Sequence, residues 1–489
     1  MMNPPPVSIA RTASVVAEHS VYVWLVALAG ALGGLLFGYD WVVIGGAEPF
    51  YERYFHLNSP SIVGWAMSCA LAGCLIGALS SGPLSDRFGR KRLLILAAFV
   101  FVVSSLGTGM ANVFPAFVAW RITGGCAIGL ASGISPMYIA EISPAHLRGR
   151  MVSLNQLAIV FGILLAQIVN WLIARPVPPG STAQDILLSW NGQWGWRFMF
   201  AATAAPSACF LVASFMVPES PRWLAARGRI QEASRVLQRL GGRGYAEQVV
   251  EDLSRQAEVH VRTAIAHRTA FAELFSGGMG KVLFLGVALA VLQQWSGINV
   301  IFNYAQQIFA AAGYHVSDIL FNIVITGAVN LAFTFVALFT IDRFGRRILL
   351  LGGMTGLVIV YAVLGELFRL HVHGKPMLAL VLAAIACYSV SLAPVTWVVI
   401  SEIFPTRIRS SAMSIAVTAL WAACFLLTYT FPLLNAALKA SGTFWTYAAI
   451  CFAGLLLFAA SLPETKGKTL EEIESSLRKG TMPRNDPAG

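Results

Sequence analysis

Charge is what this sequence has least of. Asp, Glu, Lys and Arg together make up 12% of its 489 residues, about half of the ~25% that covers the surface of an ordinary soluble chain. Hydrophobic residues make up 57%, and the mean hydropathy is +0.70. A chain this poor in charge cannot clothe itself against water, so its solvent is largely lipid. Disorder is excluded, and so is a soluble nucleic-acid binder, despite a formal net charge of +11. Cysteine chemistry is missing as well. Cys69, Cys74, Cys126, Cys209, Cys387, Cys424 and Cys451 all fall in apolar runs, with no CxxC or Cys/His ligand spacing. That argues against a disulfide framework or a metal site and leaves them as small packing residues. His371-Val-His373 is too sparse a pair to ligate a metal. No Ser/His/Asp, metal or nucleotide constellation occurs within the apolar runs, so the chain is not expected to be an enzyme.

What is abundant is long apolar runs. A membrane span needs about 20 mostly apolar residues. Twelve such runs are read between charged or Pro/Gly-rich breaks: 22–46, 62–82, 92–111, 114–140, 152–174, 196–217, 281–312, 317–340, 347–368, 378–402, 411–437 and 443–462. The first is too long for a signal peptide and lacks a cleavage context. The basic residues orient the spans. With both termini cytoplasmic, 27 of the 34 Lys and Arg lie inside and six outside, while Arg121 sits within a span. Without the long central loop, whose charges orient poorly, 17 still oppose six. The +11 is mostly a signal of topology.

The chain also repeats itself. Asp86-Arg87-Phe88-Gly89-Arg90-Lys91 follows the second run, and Asp342-Arg343-Phe344-Gly345-Arg346-Arg347 follows the eighth. Glu141 and Arg148 close the fourth; Glu402 and Arg409, at the same separation, close the tenth. Pro218-Glu219-Ser220 and Pro463-Glu464-Thr465 follow the sixth and twelfth. A repeat of six spans places the two halves in parallel topology. The expected organisation is a cytoplasmic tail (1–20), an N-terminal six-helix bundle (21–217), a cytoplasmic helical linker (218–280), a C-terminal six-helix bundle (281–462), and a cytoplasmic C-terminal helix and tail (463–489). The linker mixes nine basic with seven acidic residues and reads as short amphipathic helices; Leu470, Ile473 and Leu477 mark a similar helix after the last span. The recurring acids and arginines at the cytoplasmic ends (Asp86, Arg87, Arg90, Glu141, Arg148, Asp342, Arg343, Arg346, Glu402 and Arg409) are expected to form an ion-pair network between the halves. Such a network would hold the inner side shut, since an Arg fork can bind a carboxylate and helix-terminal carbonyls together. Positive-inside anchoring alone is the alternative.

Ionisable groups deep in a membrane are costly and by default functional. Asp40 is the only deep acid and Arg121 the only deep base. Counted from the outer ends of their spans at ~1.5 Å per residue, they fall within roughly 2 Å of the same depth. A pair follows. Burial and a nearby guanidinium act in opposition on a carboxyl's hold on its proton, so a pair whose separation changes between conformations can load and unload one. The alternative is a static structural pair. Run seven carries Gln293, Gln294, Asn299 and Asn303, which a straight helix would spread around its surface. Gly297 permits a local break that turns them toward a central cavity. Gln156, Gln167, Asn330, Trp397 and Trp421 also lie mid-span. Amides that both donate and accept suit sugar hydroxyls, and aromatic faces suit the C–H face of a sugar ring. No deep charge cluster awaits a phosphate or carboxylate, so the expected substrate is neutral and polyhydroxylated.

Gly38-Tyr39-Asp40, the two DRFGR loops, Pro136-Met137-Tyr138-Ile139-Ala140-Glu141, Pro218-Glu219-Ser220-Pro221-Arg222-Trp223-Leu224, Gln293-Gln294 through Gly297-Ile298-Asn299, and Pro463-Glu464-Thr465-Lys466-Gly467 resemble the sugar porter family of the major facilitator superfamily. Among its members the bacterial xylose-, arabinose- and glucose-type proton symporters are the nearest in motif. The resemblance spans about residues 30–470, in family order. It implies an all-α integral membrane fold of twelve helices in two six-helix bundles with a cytoplasmic helical domain, working by alternating access around a central sugar. It implies that Asp40 with Arg121 is the proton-coupling pair; animal facilitative carriers have asparagine at the first position. It implies further that Phe37, Gln156, Gln293, Gln294, Asn299, Asn330 and Trp397 contact sugar. Asn303, Ala393 and Leu420 depart from common family residues, and Leu420 replaces a glutamine of the xylose-type symporters. The expected function is import of a pentose or hexose with protons as coupling ion and no cofactor. The protein is expected to act as a monomer in the bilayer of a plasma or inner membrane, with no nucleic-acid partner. A facilitative uniporter, an inositol-type polyol symporter and a sugar sensor are the alternatives.

Overall fold

The computed structural model describes residues 20–144, 147–178, 180–263, 279–404 and 409–464. The expected N-terminal tail, apart from Ser20, and the expected helix around Leu470, Ile473 and Leu477 lie outside them. Every element is helical: α1 Ser20–Tyr54, α2 Pro60–Phe88, α3 Arg90–Gly109, α4 Phe114–Ile142, α5 Arg148–Ile173, α6 Ala183–Leu188, a π-helical turn Asn191–Gly195, α7 Trp196–Ala201, α8 Ala204–Met216, α9 Pro221–Ala226 and α10 Ile230–Thr263. There follow α11 Met279–Trp295, α12 Ile298–Asn303, α13 Ala305–Ala311, α14 Val316–Phe344, α15 Arg346–Arg369, α16 Lys375–Val390, α17 Leu392–Ile403 and α18 Arg409–Ser461. Eleven helical stretches among the described residues are long and apolar enough to cross a membrane. The last holds both of the final expected spans, because α18 breaks at Lys439 (φ 58°, ψ 174°).

Helices are the natural solution here, since lipid offers no partner for a backbone amide and a helix satisfies its own. Proline near the start of α2, α4 and α16 fits the first turn, where no intrahelical partner is missed. Small residues set how closely the helices cross. Gly73 and Gly77 of α2 meet Gly125 and Gly129 of α4 so tightly that a Cβ on any of the four would stand 1.9–2.2 Å from a facing carbonyl oxygen. Within the first half α1 packs on α5 and α2 on α4; within the second α15 packs on α18 and α11 on α18. Across the halves, α2 meets α18, α5 meets α14, and α1 meets α12 and α13.

Three expected spans are interrupted. The sixth begins in the π-turn and bends again between α7 and α8. The seventh breaks at Gly297 (φ 82°) and at Tyr304 (φ −112°). The tenth breaks at Ser391 (φ −116°, ψ −89°). In the linker, α9 and the start of α10 share a small core of Trp223, Leu224, Ala225 and Ala233. The linker is pinned to the first DRFGR turn: Trp223 Nε1 donates to the Asp86 carbonyl at 2.9 Å, and Arg227 Nη2 to the Asp86 and Arg87 carbonyls at 2.8 and 3.1 Å.

Candidate functional site

Asp40 stands on α1 just beyond Gly38, where the helix presses on α5 closely enough that a Cβ would lie 1.9 Å from the Ile159 carbonyl oxygen. Arg121, early in α4, reaches it. Nη1 of Arg121 donates to both Asp40 carboxylate oxygens at 2.9 Å. The residues are 7% and 4% exposed, so the pair is sealed from water. Behind it, the Phe200 ring lies 5.3 Å from the guanidinium carbon, and Arg121 Nε has no hydrogen-bond partner. One nitrogen holding both oxygens is not the two-nitrogen fork that makes Arg–carboxylate contacts strongest. The pair is close and buried, held through a single guanidinium nitrogen.

One turn along α1, an aromatic cluster bridges the halves. Phe37 and Trp41 sit at i and i+4 of α1, with ring centroids 5.4 Å apart; Trp421 of α18 lies 5.6 Å from Phe37 and 6.1 Å from Trp41. The amides of the broken seventh span are all buried. Gln293 Nε2 donates to the Leu392 and Ala393 carbonyls at 3.3 Å, at the break of the tenth span. Gln294 Nε2 donates to Gln293 Oε1 at 3.3 Å, and Asn299 Nδ2 donates to Gln294 Oε1. Gln293, Gln294 and Asn299 therefore form one chain of amides that crosses the helix break at Gly297. Asn303 Oδ1 is buried without a partner. Asn330 accepts from the Ser389 hydroxyl at 2.7 Å. Gln167 Nε2 lies 3.5 Å from Thr326 Oγ1 across the α5–α14 contact. Gln156 is half-buried on α5, and Trp397 is 37% exposed. The structure brings together Phe37 with Trp421, and the three amides; among the described residues, no hydrogen bond or ring contact joins Gln156 or Trp397 to either group.

At the ends of these helices away from the DRFGR turns, the halves are tied together. A Cβ on Gly45 of α1 would stand 2.6 Å from the Asn303 carbonyl oxygen. Gln307 Nε2 of α13 donates to Glu48 Oε1 of α1 at 2.5 Å; within the second half, Tyr304 donates to the Thr428 carbonyl at 2.7 Å. At the opposite end the ion pairs differ from expectation. Arg90 Nη2 meets Glu141 Oε1 at 3.0 Å, Arg90 Nη1 meets Asp86 Oδ1 at 3.4 Å, and Arg346 Nη2 meets Glu402 Oε1 at 3.3 Å. Each of these joins residues of one half, not of two. Arg148 does not pair with Glu141 but donates from Nε to the Ala140 carbonyl at 3.1 Å. Arg87 and Arg343 lie over the rings of their neighbours Phe88 and Phe344. The Asp342 and Arg409 side chains fall outside the described residues. A seven-residue separation sets Glu141 and Arg148 at similar depth, but the chain turns between α4 and α5, and Arg90 takes the carboxylate from the neighbouring α3.

The family model described as sugar (and other) transporter matches residues 26–477. The chain belongs to that family. It is 37% identical to the D-xylose-proton symporter of Escherichia coli (strain K12) over 488 residues, covering 94% of this chain and 96% of that one. It is 38% identical to the glucose transport protein of Synechocystis sp. over 485 residues, covering 96% and 100%. Among solved structures, the partially occluded inward open conformation of the xylose transporter XylE from E. coli superposes with a TM-score of 0.79 at 36% identity, covering 92% of this chain and 100% of that one. The fold is therefore the all-helical one that the major facilitator motifs imply, and this sugar transporter is read with that architecture.

Reasoning from sequence missed several residues of this transporter. Glu219 Oε1 accepts from the backbone amides of Arg90 and Lys91 at 2.9 and 3.1 Å; Glu464 accepts from those of Arg346 and Arg347, both at 3.1 Å. The recurrent Pro-Glu motifs thus cap the helices that follow the two DRFGR turns, satisfying amides that no helix bond can reach. The duplication was the signal that could have joined them. Ser220 donates to Glu141 at 2.5 Å, and Trp41 and Gln307 had no sequence signal beyond their type. Among the described residues, no three His, Cys, Asp or Glu side chains cluster as a metal site would require.

Proposed function

We propose that this transporter is a proton-coupled monosaccharide symporter, with Asp40 as the proton carrier and Arg121 as the charge that competes with the proton. The observation that carries the reading is the sealed Asp40–Arg121 pair, 2.9 Å apart, with one nitrogen on both oxygens. Protonation of Asp40 removes the charge that Arg121 holds and lets α1 part from α4; deprotonation restores the pair. A membrane protein has little other use for a lone acid and base at one depth. The relatives point the same way, the E. coli protein being named a D-xylose-proton symporter.

The substrate is a neutral pentose or hexose. The Phe37–Trp41–Trp421 cluster offers it aromatic faces, and the Gln293–Gln294–Asn299 chain offers donors and acceptors that can exchange their mutual bonds for hydroxyls. Gln156, Asn303, Asn330 and Trp397 complete the proposed sugar site. Both termini face the cytoplasm, the membrane is the plasma or inner membrane, and a single chain is the working unit, with the bundles 21–217 and 281–462 rocking about the sugar and the 218–280 linker on the inner face. With the outer ends joined through Glu48 and Gln307, pairing within each half at the other end is what an open inner side leaves. The gate residues re-pair across the halves when that side closes.

Uptake into vesicles with and without an imposed pH gradient tests the coupling. Wild type accumulates sugar against its gradient only when protons are supplied; Asp40→Asn exchanges sugar but does not accumulate it. Accumulation by wild type that ignores the pH gradient would make the chain a facilitative uniporter on the same fold.

A further inference from the structure

At the end of the bundle that carries the DRFGR turns, a cleft of about 420 Å³ opens between the start of α3 and the linker helices. Lys91, Arg92, Ile95, Glu219, Arg229, Glu232, Arg235 and Arg239 are in its wall. Its charges do not cancel. Glu219 is committed to the backbone amides of Arg90 and Lys91. Glu232 is gripped by Arg229 through two hydrogen bonds, at 2.7 and 2.6 Å. Lys91 Nζ donates to the Phe215 carbonyl at 2.8 Å, which leaves its charge unneutralised. Arg92, Arg235 and Arg239 are exposed, and none of the three is ion-paired among the described residues. A second cleft adjoins the first and shares Arg235 and Arg239, adding Arg243 and Tyr22. Four uncompensated cations thus face one cavity. The sugar site, deep between the halves, makes no use of it.

The wall next to these cations is apolar. Ile95 lines the cleft. Further along α3, Leu96 and Phe99 are 45% and 55% exposed; at the end of α8, beside Lys91, Phe215 and Met216 are 59% and 79% exposed. Lys91 and Arg92 occupy the first turn of a membrane-crossing helix, the depth at which headgroup phosphates lie. A soluble anion would need the cations alone. A phosphate diester carrying acyl chains would use the cations and the apolar strip together, as basic pockets between spanning helices do.

We propose that this cleft binds the headgroup of an anionic phospholipid, its phosphate held by Arg92, Arg235 and Arg239 and its acyl chains lying along α3 and α8. The bound lipid ties the linker to the first bundle from the membrane side. Because phosphatidylglycerol can be placed in both leaflets, the test does not depend on the orientation proposed above.

The full chain, purified and reconstituted in phosphatidylcholine vesicles with or without phosphatidylglycerol, provides the test. Lipid retained after purification is read by native mass spectrometry, and thermal stability is followed in parallel. Wild type is expected to retain phosphatidylglycerol and gain thermal stability from it. Arg235→Gln/Arg239→Gln should bind it about thirtyfold more weakly, from roughly 1 kcal/mol per cation. Arg235→Lys/Arg239→Lys, which keeps the charges, should retain it. Inorganic phosphate should neither displace the lipid nor raise stability. Equal retention by wild type and the double glutamine variant overturns the proposal. So does displacement by inorganic phosphate, which would make the ligand a soluble anion.

Discussion

At the scale of single residues, the decisive pair was legible because a membrane imposes depth on a sequence. Counting residues from the outer ends of two spans placed Asp40 and Arg121 level, and the structure joins them at 2.9 Å. Counting could not supply direction around the helix. For that reason Trp41, one turn from Phe37 and in contact with Trp421, was passed over, and so was the pairing of Arg90 with Glu141 inside one half. Three outcomes are expected at this scale. Arg121→Ala strands the Asp40 carboxylate in a buried site and should cost about 3–5 kcal/mol of stability. Asp40→Asn combined with Arg121→Gln should cost clearly less than the sum of the two single changes, as thermal midpoints of the four proteins in detergent would show. Trp421→Ala should weaken sugar binding about tenfold without altering its dependence on pH, because it removes a ring face and no charge; equilibrium binding of labelled sugar at two pH values measures both.

Helices as elements were read from apolar run length, which bilayer thickness fixes, and this is why every expected span has a helical counterpart. Their interruptions were less legible. The Gly297 break could be anticipated because glycine alone adopts φ 82° without strain. Ser391 is no glycine, and Gly192 and Gly195 of the π-turn do not take a positive φ, so packing decides these breaks. The two DRFGR turns show the same logic twice: Gly89 and Gly345 lie at φ 93° and 89°. A Cβ on them would stand 2.3 Å from Glu219 Oε2 and 2.8 Å from Glu464 Oε2. Gly89→Ala should therefore both strain the backbone, by about 1–3 kcal/mol, and push Glu219 off the start of α3. Glu219→Gln, which keeps the shape and weakens the cap, should cost less. Thermal melts of both variants, with Gly345→Ala and Glu464→Gln as the matching pair in the other half, would show the same order twice.

For the molecule as a whole, the two-fold duplication was legible from three repeated motifs, and membership of the sugar transporter family agrees with it. Which end is closed was not legible, since one sequence serves every conformation. In this structure the halves touch at the end away from the DRFGR turns. The first and seventh spans meet at Gly45–Asn303 and at Glu48–Gln307, while the described ion pairs at the other end stay within their halves. Glu48 is 1% exposed, with its second oxygen unpartnered, so the Gln307 hydrogen bond contributes to making its burial tolerable. Gln307→Ala should shift the population toward outer opening. A single cysteine placed at Asn303 should then react faster with a membrane-impermeant thiol reagent added from outside, and sugar should restore the slower rate. An unchanged rate would remove Glu48–Gln307 from the outer closure.

The two capping glutamates have a consequence for how such a protein can be divided. Each sits just past the last helix of its half and grips a turn near the middle of that same half, so each half is buckled by its own trailing end. The clasp was copied along with the helices it fastens. Neither half borrows its buckle from the other. Supplied as two separate polypeptides cut between Thr263 and Met279, the halves should insert independently and find each other again in the bilayer.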